Sequence, residues 1–331
     1  MKSTTQWGTF VGTDDQWNNQ LLAFNEACVY QSSSWAKHRA DFGWQALRLV
    51  SQTNRCYAQV LYKSIFGTTI AWIPGGPTGE TSEINKELVA TIQRLTKNSR
   101  AYIRLNLLQE TNDSCEQMLK TNQWRQAKTK LSSGLSLIYS LKDDEPTRRN
   151  LLSTNWGRNL RRGENRNNAP YLWRDVDAAQ VAELYQQLSE YKELANNSEI
   201  PSLENIKSLI NNCQSRLTVF RCDDNLGKPL AIRGSLAFGD KAWDILAAVS
   251  PQGRKQYSSY VTAWALLTHF SNLNVSRYDL SGIDPVGNKG VYDFKHGIGS
   301  TEIKYIGEWD CGTPAFVQPV VGRLLKYRNN L

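Results

Sequence analysis

Apolar and polar residues alternate in three short runs near the start of the chain: "ALRLV" (46–50), "YAQVLYK" (57–63) and "TTIAWI" (68–73). A period of two predicts strands. The turn-forming "PGGPTGE" (74–80) interrupts the alternation, and the period then changes. Ile84, Leu88, Ile92 and Leu95 recur at helical spacing, with Thr81 or Ser82 as the expected N-cap. "AYIRLNLL" (101–108) returns to strand, which gives the order β-β-β-α-β.

The same order recurs further along. "LTVFRC" (217–222) and "PLAIRGSLAFG" (229–239) read as a strand pair across "DDNLGK", and "KAWDILAAVS" (241–250) reads as a third strand. The helix "SSYVTAWALLTHFSNL" (258–273) and the strand "RYDLSG" (277–282) follow. A repeated β-β-β-α-β unit predicts an α/β (α+β) protein of two related modules. We set the domains at 1–140 and 141–331. Between the repeats, "PTRRNLLSTNWGRNLRRGENRNNAP" (146–170) is rich in Arg and Asn, and a helix with Val181, Leu184 and Leu188 on one face comes after it.

With 331 residues, 40% of them hydrophobic, the chain has the material for two cores, and a largely disordered chain is excluded. No apolar run approaches bilayer-spanning length, so a soluble, cytoplasmic protein is expected. Six cysteines without a C-x-x-C pair, together with three histidines, predict structural thiols and no metal site. The net charge of +8 is spread along the chain: Lys+Arg exceed Asp+Glu by 15 to 10 in residues 1–135 and by 24 to 21 in the remainder. Such a balance favours a polyanionic partner, whether RNA, a nucleotide-linked substrate or an acidic membrane surface.

Three stretches carry candidate chemistry. At the junction "SPQGRKQYSSY" (250–260) a strand feeds a helix N-terminus, which offers free N–H groups to an anion. This junction resembles that of GNAT acetyltransferases, where R/Q-x-x-G-x-G/A wraps the coenzyme A pyrophosphate. Here Tyr257 and Ser259 stand where small residues are needed, which weakens an acyl-CoA reading. In "GVYDFKHGIG" (290–299), Lys295 is either a solvated turn lysine or a cation held near a strand end to stabilise an oxyanion, with Asp293 as its partner or a base. The arginines of 148–166 form either a solvated face or a phosphate-binding surface.

Taken together, these residues resemble the Fem family of aminoacyltransferases over nearly the whole chain. "YQSSSWAKHRADFGW" (30–44) is similar to the family's N-terminal Gln-Ser/Thr, aromatic, basic pattern, and "IPGGP" (73–77) to its strand-end turn. "NWGRNLRRGE" (155–164) is similar to the stretch that opens its second domain. "YDLSGI" (278–283) and "GVYDFKHGIG" followed by "YIGEWD" are similar to its closing signature.

The resemblance implies two tandem GNAT-like acyltransferase domains, of the compact type without a helical arm. It implies transfer of an amino acid from aminoacyl-tRNA to an acceptor amine, such as the stem peptide of a phosphate-bearing peptidoglycan precursor, with no covalent enzyme intermediate and no cofactor. Lys295 takes the oxyanion, beside Phe294 and Tyr292. Arg39, with Lys37 as the second choice, meets a substrate phosphate. Gly76, Tyr257 and Lys192 complete the substrate-binding set, and Arg158, Arg161 and Arg162 are candidates for tRNA. Two alternatives stand beside this reading: an N-acyltransferase using acyl-CoA or an acyl-carrier protein in polysaccharide or lipid synthesis, and a non-catalytic binding protein. The helix expected over 313–330 docks on the second domain through Val320, Val321, Leu324 and Leu325. Its basic face (Arg323, Lys326, Arg328) serves packing or peripheral contact with a membrane surface. A monomer is expected.

Overall fold

The structure, a computed structural model, describes residues 6–166, 169–192 and 200–329; within the last two segments the side chains of residues 192 and 326–329 lie outside the described residues. The chain forms two compact units, residues 1–135 with 304–331 and residues 136–303.

In the first unit the alternating runs form the strands they predict. The elements are β1 (Trp7–Thr9), α1 (Asp14–Leu22), α2 (Ser33–Ala40), β2 (Gln45–Ser51), β3 (Cys56–Ile65), β4 (Thr68–Pro74), β5 (Thr78–Gly79), α3 (Lys86–Thr96), β6 (Arg100–Glu110), α4 (Asp113–Thr121) and β7 (Arg125–Gln126). β1, β2, β3 and β4 pair antiparallel in that order, and β6 joins β4 in parallel after the α3 crossover. Leu88 and Ile92 of α3 are buried with Leu49, Val60, Ile73 and Ile103 in the core. The N-cap of α3 is Asn85, whose Oδ1 accepts from Glu87 N–H at 2.9 Å. The expected caps Thr81 and Ser82 instead lie in a separate 3-10 turn, Thr81–Glu83.

β4 and β6 stay paired from Thr68↔Arg100 to Pro74↔Asn106. Beside the end of β4, the buried Gln31 amide donates to Pro74 O at 2.8 Å and to Gln59 O at 3.2 Å, and its Oε1 accepts from Gln59 N–H at 2.7 Å. A Cβ on Gly76 would lie 2.5 Å from Gln31 Cδ, so the "PGGP" turn needs glycine there for close packing.

The second unit contains β8 (Leu135–Ser140), α5 (Glu145–Asn150), α6 (Thr154–Glu164), β9 (Tyr171–Leu172), α7 (Ala178–Lys192), α8 (Leu203–Cys213), β10 (Leu217–Asp223), β11 (Pro229–Phe238), β12 (Lys241–Val249), α9 (Pro251–Lys255), α10 (Ser258–Asn272), β13 (Arg277–Gly282) and α11 (Lys289–His296). Its sheet order is β8-β13-β12-β11-β10-β9, with β12 and β13 parallel and the other pairs antiparallel. α10 lies on β10 and β11 and packs with α6, while α7 lies on β11 and β12 beside α8. Both modules therefore share the β-β-β-α-β order and one parallel pair. They differ where it matters for a site: β12 and β13 pair only from Lys241↔Arg277 to Trp243↔Asp279 and then part.

The chain then returns to the first unit with β14 (Thr301–Thr313) and α12 (Val317–Asn329). β14 pairs antiparallel with β6 from Tyr305↔Glu110 to Thr313↔Ala101. A buried ion cluster fixes this return: Arg104 donates to both oxygens of Asp310 (2.7 and 2.9 Å) and to Glu308 Oε2 (2.9 Å). A single boundary near residue 140 therefore does not describe the chain, because its last strand and helix complete the first unit. The helix also starts later and docks elsewhere than the sequence suggests. α12 lies on β6, with Val317 buried and Val321 and Leu325 half-buried, whereas Val320 and Leu324 face outward. Close approach of Gly312 to Gln318, where a Cβ would sit 2.5 Å from Gln318 N, sets this rotation.

Candidate active site in the second unit

Where β12 and β13 part, backbone groups lose their ladder partners and a cavity of about 610 Å³ opens. Its wall combines Asn159 of α6, Tyr185 and Leu188 of α7, Arg233 of β11, Asp244 of β12, Arg254 of α9, Tyr257, Tyr260 of α10, Ser281 of β13, and Phe294 and Lys295 of α11. A bulge aims Asp244 inward: Gly234 faces Leu246 but Ser235 faces Asp244, so Ile245 is the extra residue.

Arg233 and Asp244 are both buried and form an ion pair at 2.6 Å. Tyr278 Oη donates to Asp244 Oδ1 at 3.1 Å and also bonds Ser235 Oγ. The Arg233 guanidinium lies 5.3 Å from the Phe294 ring centroid, and the ring packs edge-on to Tyr260. The pair is thus neutralised within the wall and also braces the aromatic residue next to Lys295.

Lys295 Nζ donates to Gly282 O at 3.0 Å and to Ser281 O at 3.4 Å. Those carbonyls are held by the turn that ends β13. Ser281 takes a left-handed φ of 61°, its N–H donates to Asp279 Oδ1 at 2.7 Å, and its Oγ donates to Asp244 O at 2.6 Å. Among the described residues no carboxylate forms an ion pair with Lys295. Burial pushes its ammonium below the usual lysine range; Asp244 opposes this shift and Arg233 reinforces it. Burial also pushes the Tyr185 hydroxyl up to about 12, and that oxygen accepts from Ala247 N–H at 2.8 Å.

The structure brings Lys295, Phe294 and Tyr257 to this cavity and leaves other expected residues outside it. The "GVYDFK" segment is the helix α11, not a turn at a strand end. Asp293 therefore pairs with Lys289, one turn earlier, at 2.7 Å, and is exposed; it is not the partner of Lys295. Tyr292 stacks on His296 and donates to Glu302 at 3.3 Å. Lys192 ends α7, and its side chain lies outside the described residues. Arg158 bonds Asn155, and Arg161 is exposed. Arg162 donates to Tyr257 Oη at 3.1 Å, and Arg162 and Arg166 both lie over its ring. Of the remaining arginines in that segment, Arg148 is buried against Trp264, and Arg149 pairs with Glu145 and Glu164.

In the first unit, Lys37 is held by Asp14 at 2.7 Å, and Asp14 also takes Arg48. Arg39 lies over the Phe42 ring at 5.3 Å, and its buried Nε has no hydrogen-bond partner. Between the two candidates, Arg39 is the one that forms no ion pair among the described residues. Gly76 sits against Gln31 in the same unit. Beside Arg39, the buried His38 is lowered to about 4 by burial and by the Arg39 charge. An unfolded histidine accepts a proton near 6.5, so this stability is complete above that pH and is lost as pH falls towards about 4. The expected loss is about 3 kcal/mol at most. Melting temperatures from pH 7 to pH 4.5 should fall for the native chain, and His38→Gln should flatten that slope.

Sequence reasoning missed Arg233, Asp244, Tyr185, Tyr260 and Arg254. A signal existed for two of them: Arg233 is the one charge of β11, and Asp244 is the one charge of β12 after its first residue, Lys241. A charge at such a position requires a buried partner or a ligand.

Residues 176–319 match the FemAB family. No curated protein matches the chain by sequence. Among solved structures the chain is similar to FemX, with a TM-score of 0.80 at 13% identity, covering 95% of this chain and 100% of that one. It is similar to the tandem GNAT protein from the clavulanic acid biosynthesis pathway (TM-score 0.57, 9% identity, 93% and 98% covered). It is also similar to L-PGS from Bacillus licheniformis (TM-score 0.54, 12% identity, 95% and 97% covered). These likenesses define a tandem GNAT-like fold. The family match extends over most of the unit that holds the cavity, and over that stretch the chain is similar to FemAB proteins. Among the described residues, no helix is long and apolar enough to cross a membrane.

Proposed function

We propose that the protein is an aminoacyltransferase that moves an amino acid from aminoacyl-tRNA to an acceptor amine. One observation carries this reading. The Lys295 ammonium faces the cavity, held among the described residues by backbone carbonyls and no carboxylate, so its charge is free for an oxygen that becomes negative during reaction. The acceptor nitrogen attacks the ester carbon, the carbonyl electrons move onto oxygen beside Lys295, and collapse expels the tRNA ribose oxygen, which takes up the proton lost by the nitrogen. The ester is already activated, so positioning and charge stabilisation suffice and the chain need not supply a nucleophile.

The donor reading draws support from Tyr257. It occupies the left-handed φ of 61° before α10, where a pyrophosphate-binding loop needs small residues, and its ring carries Arg162 and Arg166. That arrangement disfavours coenzyme A and leaves cations at the surface for an RNA backbone. Arg254 of the cavity wall stacks on Tyr191 at 5.0 Å and forms no ion pair among the described residues, which suits an anionic group on the acceptor such as the phosphate of a peptidoglycan precursor. Charged tRNA is a cytoplasmic substrate, so the reading also places the reaction there.

The test is donor use. Purified protein is incubated with a pool of radiolabelled aminoacyl-tRNAs or with radiolabelled acetyl-CoA, each with and without a peptidoglycan precursor. Amine-dependent loss of label from tRNA is expected. Transfer from the thioester alone would replace the proposal with an acyl-CoA-type reaction on the same fold.

A further inference from the structure

One end of the first unit's sheet carries apolar side chains that the fold does not use. The pairings Thr68↔Arg100 and Thr313↔Ala101 place the β3–β4 hairpin tip and the lead-in to α12 at the same end of β6. The outer two of these three strands are about 10 Å apart. At the hairpin tip Phe66 is 97% exposed and Ile65 is 47% exposed. Phe66 also has φ 47°, a conformation that favours Gly or Asn, so a phenylalanine there gains nothing within the folded unit. From the other segment, Phe316, Val320 and Leu324 form a stripe at four-residue spacing, 59%, 51% and 63% exposed. The two features arise from separate parts of the chain, and the segments that carry them start from the same end of β6.

The segments that carry these groups hold charge of one sign, although exposed Asp41 lies just before β2, which borders β3 at this end. The segments that build this end, 61–79, 88–109 and 311–329, contain no Asp or Glu. They present Lys97, Arg100 and Arg323 as exposed cations. Asn98 donates to Ser64 Oγ at 3.0 Å, which holds the hairpin tip beside Lys97. Exposed large apolar groups on segments that carry cations and no acids complement a surface that is oily and negatively charged. A polyanion such as nucleic acid would take the cations and leave Ile65, Val320 and Leu324 in water.

We propose that this end of the sheet docks on a bilayer carrying anionic lipid. Phe66, Ile65 and Phe316 enter the boundary between headgroups and acyl chains, while Lys97, Arg100 and Arg323 face the lipid phosphates. The surface is independent of the second unit's cavity, so it stands whatever the donor test gives.

Flotation of the full chain with vesicles of phosphatidylcholine, alone or mixed with phosphatidylglycerol, tests this. Binding at least about tenfold tighter to the mixed vesicles is expected, weakening with added salt. Phe66→Asn keeps the turn, since Asn tolerates this φ, and should weaken binding by about tenfold or more, as should Phe316→Ser. Equal binding to both vesicles, or binding untouched by both substitutions, overturns the proposal. So does a vesicle-free dimer, seen by sedimentation, that Phe66→Asn dissociates, because a second copy would then be the occupant.

Discussion

Lys295→Met is expected to leave the chain folded and to slow acyl transfer by on the order of 10²–10³-fold, the cost of removing one oxyanion donor. Methionine matches the length of the lysine stem, and the ammonium is already desolvated enough to lie below its ordinary pKa, so its removal relieves a burial cost. What is lost is a donor to Gly282 O and the charge in the cavity. Lys295→Arg should not restore the rate: a planar guanidinium cannot place one compact charge between two carbonyls and a reacting oxygen. The lowered pKa adds a second expectation. The native enzyme should lose rate with rising pH before free lysine would deprotonate at 10.5, whereas the residual rate of Lys295→Met should show no such fall. Single-turnover transfer from charged tRNA, with circular dichroism and melting on the same samples, decides it. A folded Lys295→Met that transfers within a few fold of the native rate would remove Lys295 from the chemistry.

Local pattern told which residues to watch better than it told what surrounds them. The period-two runs and Leu88, Ile92 and Leu95 gave elements the structure contains, because alternation and helical spacing are local consequences of burying one face, whereas Ile84 is buried but precedes α3. The glycines at 282, 287 and 290 made the segment that includes α11 read as a turn. Once the segment is a helix, the i,i+4 pairing of Lys289 with Asp293 follows, and Lys295 points elsewhere. Arg162 looked like a free cation, but its partner Tyr257 is 95 residues away in sequence. The return of β14 to β6 had no local signal either, since it rests on Arg104 meeting Glu308 and Asp310 more than 200 positions later. Parting of β12 from β13 is likewise a property of pairing, visible only by contrast with the longer-paired β4 and β6.

Asp244→Asn is expected to cost about 3–5 kcal/mol of stability, the effect of leaving one member of a buried ion pair without its partner. Against the 5–15 kcal/mol typical of a folded domain, that is a large share. The size follows from what the Asp244 carboxylate holds: Arg233 at 2.6 Å and the Tyr278 hydroxyl at 3.1 Å. Its loss also exposes Lys295 to the unbalanced Arg233 charge and should push the lysine further down. Arg233→Met with Asp244→Leu removes both charges and should recover much of the stability. The double variant still lacks the guanidinium that lies 5.3 Å from the Phe294 ring, so it should remain slow although stable. Urea unfolding of the native chain, Arg233→Met, Asp244→Leu and the double variant closes a cycle whose coupling term is the worth of the pair. Coupling near zero would mean that water reaches the two side chains in solution. Strong coupling with full activity in the double variant would mean that the pair holds the strands together and does nothing for Lys295.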